Sequence, residues 1–179
     1  LLLILGGFTL FLVRYGMLTV APLLATRTIG LRPSVVGMVF SLIGVVRVIV
    51  SPQAGRLAAW LPRKTAFAIT MGVVGVSMAV FAAAISLPML VAAAIIYAVG
   101  QSLFNPTLND TVTVAAPTDN RAGVVSALQA SKNVANTVGP ALASLLLAVT
   151  DFRTVFLVST GLVVVYLVIL VAWLDPEAY

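Results

Sequence analysis

Hydrophobic residues occur in this chain in long stretches, which short polar segments separate. Six stretches are long enough for a helix to cross a hydrocarbon layer, which takes about 20 apolar residues. In the second and third stretches hydrophobic side chains surround the helix on every side, whereas a soluble helix keeps one polar face. We therefore predict six transmembrane helices, with bounds at residues 1–25, 34–58, 65–85, 89–114, 122–149 and 154–174.

Prolines and short polar runs mark the ends of the predicted helices. Ser34 follows Pro33 and is expected to be the N-cap of the second helix. Pro88 divides an uncharged stretch that is too long for one span. The chain starts inside an apolar stretch without Met, so we expect a further segment before Leu1.

The composition agrees with a multi-pass membrane protein. Hydrophobic residues make up 61% of the chain and charged residues 8%, against about 25% charged residues in a soluble domain. The chain has no Cys and no His, which excludes disulfides, thiol catalysis and ordinary zinc sites within it. We predict no enzyme activity, metal or cofactor, since a nucleophile with its base is also missing. No basic run contains interleaved aromatic residues, so nucleic acid is not an expected partner.

Two short echoes suggest that the second three helices repeat the first three. The spacing from Gly16 to Pro22 equals that from Gly100 to Pro106, and the pair 36–37 that opens the second helix is matched by the pair 122–123 that opens the fifth. A repeat of three helices enters the membrane from the opposite side in its second copy, and such inverted repeats are typical of transporters. The residues involved are common in membrane helices, so chance is the alternative explanation.

The connection between the second and third helices, residues 55–64, reads Gly-Arg-Leu-Ala-Ala-Trp-Leu-Pro-Arg-Lys. It resembles the loop motif G-x-L-a-D-R-x-G-R-R/K of the major facilitator superfamily. The positions that agree are Gly55, Leu57, Ala58, Arg63 and Lys64. Ala59, Trp60 and Pro62 depart from the motif, and Ala59 removes the carboxylate that latches this loop to a neighbouring helix in family members.

This resemblance implies an all-α six-helix bundle, half of a twelve-helix fold, with a 3+3 inverted repeat. Residues 95–100 lack the Arg common in the fourth helix of the first half, which favours the C-terminal half. The implied partners are a lipid bilayer, a missing N-terminal half and a small solute, in the plasma or inner membrane. The loop motif and its surroundings would act either as a gate or as a topological anchor; these residues are Gly55, Arg56, Arg63, Lys64, Asp110 and Arg121.

Three cations fall well inside the first, second and fifth predicted helices: Arg14, Arg47 and Lys132. Each costs about 2.5–3.5 kcal/mol at the bilayer centre on insertion scales. They would line a wet cavity or bind an anionic ligand, or else serve as structural donors. Together with amides at helical spacing they form the predicted substrate cavity, whose other members are Gln101, Asn105, Gln129, Asn133 and Asn136. The alternative for the amides is hydrogen bonding between the fourth helix, including Asn109, and the fifth.

The resemblance implies secondary active transport, and the sequence leaves the substrate open. The general appearance of the first two helices resembles drug-efflux members, which would make the protein a proton-coupled exporter (an antiporter) of apolar or cationic compounds. The buried cations instead favour an organic or inorganic anion. A non-transporting scaffold or sensor on a degenerate permease fold is the third hypothesis, based on the altered loop motif.

Overall fold

The computed structural model is entirely helical over the residues that it describes, 2–115 and 121–173. Side chains are described throughout these ranges except at residues 2–4, 57–59, 63–64, 105, 107, 109–115, 121 and 173. The helices are α1 (Leu2–Leu23), α2 (Pro33–Trp60), α3 (Arg63–Ala83), α4 (Leu87–Ala115), α5 (Arg121–Val149) and α6 (Phe152–Trp173).

The six predicted helices are thus present, and their ends differ from the predicted ends by a few residues. A π-helical segment, Leu24–Thr28, extends α1 and shortens the connection to α2. The N-cap prediction for Ser34 is wrong, because Pro33 is already the first residue of α2. Proline is favoured at that position, where its missing N–H would have no partner in any case. The carbonyl oxygen of Arg32 accepts the first hydrogen bonds of the helix instead.

Contacts between helices give the direction in which each one runs. Helices α3 and α6 are antiparallel, since Gly75 packs on Val163 and Phe81 stacks on Phe156 further along α3. By the same kind of pairing α3 and α4 are antiparallel, α1 and α6 are antiparallel, and α1 and α5 are parallel. Helices α1, α3 and α5 therefore run in one direction and α4 and α6 in the other, as expected when a chain crosses a membrane repeatedly.

The packing pattern has the symmetry of two three-helix units. Helix α1 packs chiefly on α5, α2 chiefly on α4, and α3 on both α4 and α6. Exchanging α1, α2 and α3 with α4, α5 and α6 converts the α1–α5 interface into the α4–α2 interface and leaves α3–α6 unchanged. The extensive α3–α4 interface has only a smaller counterpart, between α6 and α1. Because α1 runs opposite to α4 and α3 runs opposite to α6, the second unit is inverted, as in the predicted 3+3 inverted repeat.

The repeated Gly–Pro spacing of α1 and α4 does not correspond to equivalent contacts of the two helices. Gly16 faces Gly139 and Ala143 of α5, whereas Gly100 faces Val73 and Val74 of α3. Under the exchange, the counterpart of α5 is α2. The two glycines therefore permit close packing at interfaces that the repeat does not relate, and the contacts of whole helices are the better measure of the symmetry.

Five of the described helices are long and apolar enough to cross a membrane, and α5 is not among them. Amides and Lys132 lower the mean hydropathy of α5, although its 29 residues are more than a span requires. In contrast to α5, α6 has an apolar outer side, on which Val164, Val165 and Val168 are exposed. A continuous exposed apolar face of this kind is expected where lipid is the solvent.

Candidate functional site

Most polar side chains buried inside the bundle have a hydrogen-bond partner in the backbone. Three hydroxyl groups donate to carbonyl oxygens, namely Thr70 to Ala66 (2.9 Å), Ser77 to Ala93 (3.0 Å) and Ser102 to Ala98 (2.8 Å). Two of these bonds stay within a helix, and the bond from Ser77 joins α3 to α4. Buried polar groups normally have a hydrogen-bond partner of this kind. These three side chains therefore need no ligand to explain them.

Tyr97 and Gln101 of α4 behave differently. They are 2% and 1% exposed, and they lie one helical turn apart on the same side of the helix. The hydroxyl oxygen of Tyr97 and both amide atoms of Gln101 have no hydrogen-bond partner among the described residues. Leaving a buried polar group unpaired costs about 1–3 kcal/mol. Such an arrangement persists only where another molecule, a ligand or water, supplies the partners.

Two arginines from other helices reach the same region. The Nε atom of Arg47 in α2 is buried and also lacks a partner in the described part of the chain. Arg14 of α1 and Arg47 both lie within electrostatic range of the Tyr97 hydroxyl group. Three helices thus converge on one set of side chains, Arg14, Arg47, Tyr97 and Gln101, which we call the Arg–Tyr–Gln cluster.

Aromatic rings mark one side of this cluster. The ring of Phe104 packs edge-on against Phe11, with 5.4 Å between centroids, and against Phe67, with 6.2 Å. Arg14 follows Phe11 by three residues, and Gln101 precedes Phe104 by three. Because α1 and α4 are antiparallel, both residues are displaced from the Phe11–Phe104 contact by about one turn in the same direction along the bundle axis. The rings therefore form an apolar layer next to the cluster, on the side of the α2–α3 connection.

Lys132 of α5 approaches the same layer. Its Nζ atom is 5.8 Å from the ring centroid of Phe11, within the range of a cation–π contact. Arg14 has a similar contact with its neighbour Tyr15, at 5.7 Å from Cζ to the ring centroid. Neither these two residues nor Arg47 forms a salt bridge within the described residues. Their charges are available to an anion.

The family follows from a comparison with known sequences. The profile of the Major Facilitator Superfamily matches residues 3–179, nearly the whole chain. The chain belongs to the Major Facilitator Superfamily. The family prediction is thereby confirmed, and with it an integral membrane protein of the transporter type. No curated protein matches the sequence of this chain.

A solved structure of the Major Facilitator Superfamily has the same fold. The crystal structure of the human organic anion transporter MFSD10 (TETRAN) matches with a TM-score of 0.78 at 17% sequence identity. The match covers 97% of this chain and 46% of that chain. The chain therefore spans less than half the length of that transporter, and the likeness concerns the fold.

The superfamily loop motif is only partly described. Gly55 and Arg56 are exposed, and no atom lies within 4 Å of the position that a Cβ atom of Gly55 would occupy. Among the described residues, Gly55 therefore shows no close approach of two helix ends. Several predicted residues have side chains outside the described set: Arg63, Lys64, Asn105, Asn109, Asp110 and Arg121.

The amides of α5 do not meet Gln101. Gln129, Asn133 and Asn136 are exposed, and the face of α5 that packs on α1 carries Gly139 and Ala143 instead. Gln101 has no hydrogen bond to any described residue of α5. The alternative of hydrogen bonds between the fourth and fifth helices therefore has no support at Gln101. That the α5 amides line a cavity in the complete transporter stays a prediction.

Two grooves on the surface of the bundle lie away from the Arg–Tyr–Gln cluster. One, of about 280 Å³, lies between α3 and α6 beside Gly72 and Gly75. The other, of about 140 Å³, lies between α1, α5 and α6 beside Gly16 and Gly139. Apolar residues line both almost completely, which suits lipid chains better than a polar solute. The unpaired polar atoms, and not the grooves, locate the candidate site.

Sequence reasoning missed Tyr97. It lies four residues before Gln101, so the helical spacing that links Gln101 to Asn105 could have included it. A tyrosine in an apolar stretch is usually counted as hydrophobic, but its hydroxyl group needs a partner when buried.

Proposed function

We propose that the complete protein is a secondary active transporter that carries a small anion by alternating access. This chain supplies one six-helix half, the C-terminal one, and the other half covers the exposed amides of α5. The observation that carries the proposal is the Arg–Tyr–Gln cluster. It combines two unpaired positive charges with buried polar groups that lack partners within the described residues.

The charge of the helices favours an anion. Arg14, Arg47 and Lys132 lie well inside α1, α2 and α5, and the five described spans and α5 contain no Asp or Glu. A cation in this region would be repelled by all three side chains. An anion bound between them would offset part of the cost of burying each charge, about 2.5–3.5 kcal/mol at the bilayer centre. MFSD10, which has the same fold, is itself described as an organic anion transporter.

Proton-coupled export of drugs is the second candidate, and it is less well supported. It requires a group that takes up and releases a proton during the cycle, and the described spans contain no carboxylate for this purpose. Asp110, near the end of α4, or a residue of the other half would have to provide it. A scaffold or sensor without transport activity is the third candidate, and the altered loop motif is its only support.

Uptake into liposomes tests the proposal. The full-length protein is reconstituted, and uptake of labelled organic and inorganic anions is compared with uptake of organic cations. We expect anion uptake that Arg47→Gln lowers at least tenfold. The matched control is Arg27→Gln, which removes an exposed charge at the end of the π-helical segment and should leave uptake unchanged. Uptake of cations alone would favour drug export, and no uptake of any solute would favour the scaffold.

A further inference from the structure

We propose that the anion is a hydroxycarboxylate, and that Gln101 distinguishes it from the same acid without its hydroxyl group. This inference rests on the proposed transport of anions and adds the chemical class of the substrate. It follows from the donors and acceptors of the Arg–Tyr–Gln cluster that lack partners among the described residues.

The first step is to compare these groups with what a carboxylate can offer. The Nε atom of Arg47 is a donor, the Tyr97 hydroxyl group can donate, and the Gln101 amide nitrogen has two N–H donors. A carboxylate has two acceptor oxygens with about four lone-pair positions, so it can accept from all three side chains. Charge-assisted bonds from Arg47, with Arg14 nearby, would make this the stronger part of the site.

A carboxylate leaves one group without a partner. The amide oxygen of Gln101 is an acceptor, and an ionised carboxylate has no proton to donate to it. Both amide atoms of Gln101 are buried and unpaired in the described part of the chain, so this holds whichever way the amide is oriented. The proposed substrate therefore carries a donor in addition to its carboxylate.

The nature of that donor follows from the charges around it. An ammonium group could donate to the Gln101 oxygen, but Arg14 and Arg47 would repel it. A neutral hydroxyl group donates one hydrogen bond and accepts others, so it suits a side chain that presents both an acceptor and donors. A hydroxyl group close to the carboxylate would meet Gln101 while the carboxylate meets Arg47 and Tyr97.

A site of this kind should reject the analogue that lacks the hydroxyl group. Binding the deoxy acid would leave the Gln101 oxygen buried without a donor, and sites that hydrogen-bond a substrate hydroxyl group discriminate strongly for that reason. We expect a preference of at least tenfold for the hydroxy acid. A water molecule that filled the gap equally well would remove this preference.

The test compares matched pairs of acids on the full-length protein in liposomes. Lactate is paired with propionate and malate with succinate, and each is measured as a competitor of labelled anion uptake. The wild-type protein should prefer each hydroxy acid at least tenfold. Gln101→Leu should reduce the ratio to about one, because it removes the acceptor that only the hydroxy acid can pair. Tyr97→Phe keeps the ring and removes only the hydroxyl group, and it should weaken both acids.

Ser102→Ala is the matched control. Ser102 is equally buried and adjacent in α4, but its hydroxyl group is already bonded to Ala98. The ratio should therefore be unchanged. If Gln101→Leu fails to fold, Gln101→Met provides the same test with a flexible side chain of similar length.

Three outcomes would overturn the inference. Equal affinity for the paired acids in the wild-type protein, with uptake still dependent on Arg47, would overturn it and leave anion transport intact. A preference that survives both Gln101 variants would assign the discrimination to other residues. Absence of any anion uptake would reject the proposed function and this inference together.

Discussion

Gly139 of α5 lies so close to α1 that a Cβ atom on it would be 2.9 Å from the carbonyl oxygen of Leu12. The same atom would be 3.2 Å from Cβ of Tyr15 and 3.4 Å from the backbone nitrogen of Gly16. Small residues commonly allow membrane helices to approach in this way. Here the neighbouring atoms belong mostly to backbone, which cannot move aside as a flexible side chain would.

We therefore expect Gly139→Ala to destabilise the protein by about 1–3 kcal/mol, the usual cost of overpacking. The measurement is the midpoint of thermal unfolding of the purified protein in detergent. Gly161→Ala is the control, because Gly161 is exposed on α6 and a Cβ atom there would meet nothing within 4 Å. Equal midpoints for the two variants would contradict the close packing of α1 on α5.

Lys132 should contribute to anion affinity through its charge. Its ammonium group is partly buried, 5.8 Å from the ring centroid of Phe11, and has no salt bridge among the described residues. We expect Lys132→Gln to raise the KM for anion uptake about five- to tenfold, which corresponds to about 1–1.4 kcal/mol. Lys132→Arg keeps the charge and should keep KM near the wild-type value. If both variants change KM equally, the shape of lysine matters and its charge does not.

The hydrogen bond from Ser77 to Ala93 should make a small contribution to the packing of α3 on α4. It is 3.0 Å long and buried. Hydrogen bonds between membrane helices contribute about 0.6 kcal/mol on average, so we expect Ser77→Ala to lower the unfolding midpoint slightly. Thr70→Ala, which removes a bond within α3 only, should have a smaller effect. A larger loss in Thr70→Ala would indicate that the bond between helices is not the important one.

Asp151 should make stability depend on pH at the α5–α6 connection. The hydroxyl group of Thr154, and then its backbone N–H group, donate hydrogen bonds that lower the pKa of Asp151 from its ordinary value of 3.8; the charge of Arg153 acts in the same direction. A carboxyl group with a lowered pKa stabilises the folded state above its unfolded pKa. That contribution is lost as pH falls through the folded pKa.

We expect the unfolding midpoint of the wild-type protein to fall below about pH 4, and this fall to be smaller in Asp151→Asn. Asparagine can still accept the bond from the Thr154 backbone N–H, 2.8 Å in the wild-type protein, but does not titrate. Asp151→Ala removes both the bond and the titration and should lower the midpoint at neutral pH as well. Identical acid profiles for all three proteins would rule out this role of Asp151.

The sequence predicted the helices well because a membrane span depends on the length of an apolar stretch and little else. Arg14, Arg47 and Gln101 stood out for a related reason, since a polar or charged side chain in such a stretch is costly unless it has a partner or a functional role. Tyr97 did not stand out because its ring counts as apolar. Only the three-dimensional packing shows that its hydroxyl group is buried without a partner among the described residues.

What the sequence could not predict is which helix each face meets. Helical spacing placed Gln129, Asn133 and Asn136 on one side of α5, but equally placed Gly139 and Ala143 on another. Close packing on α1 selects the side with small residues, and the amides turn outward. The predicted pairing of α4 amides with α5 amides failed at Gln101 because spacing carries no information about the neighbouring helix.

The low mean hydropathy of α5 has a consequence for biosynthesis. On translocon-based scales Lys132 adds about 2.5–3.5 kcal/mol to the cost of insertion when it is at the helix centre, and α5 lacks the apolar surplus of the five other helices. Its tightest neighbour, α1, is synthesised more than a hundred residues earlier. We therefore expect α5 to insert efficiently into the bilayer only when α1 is already inserted. The α1–α5 interface can then form only after the ribosome has synthesised most of this chain.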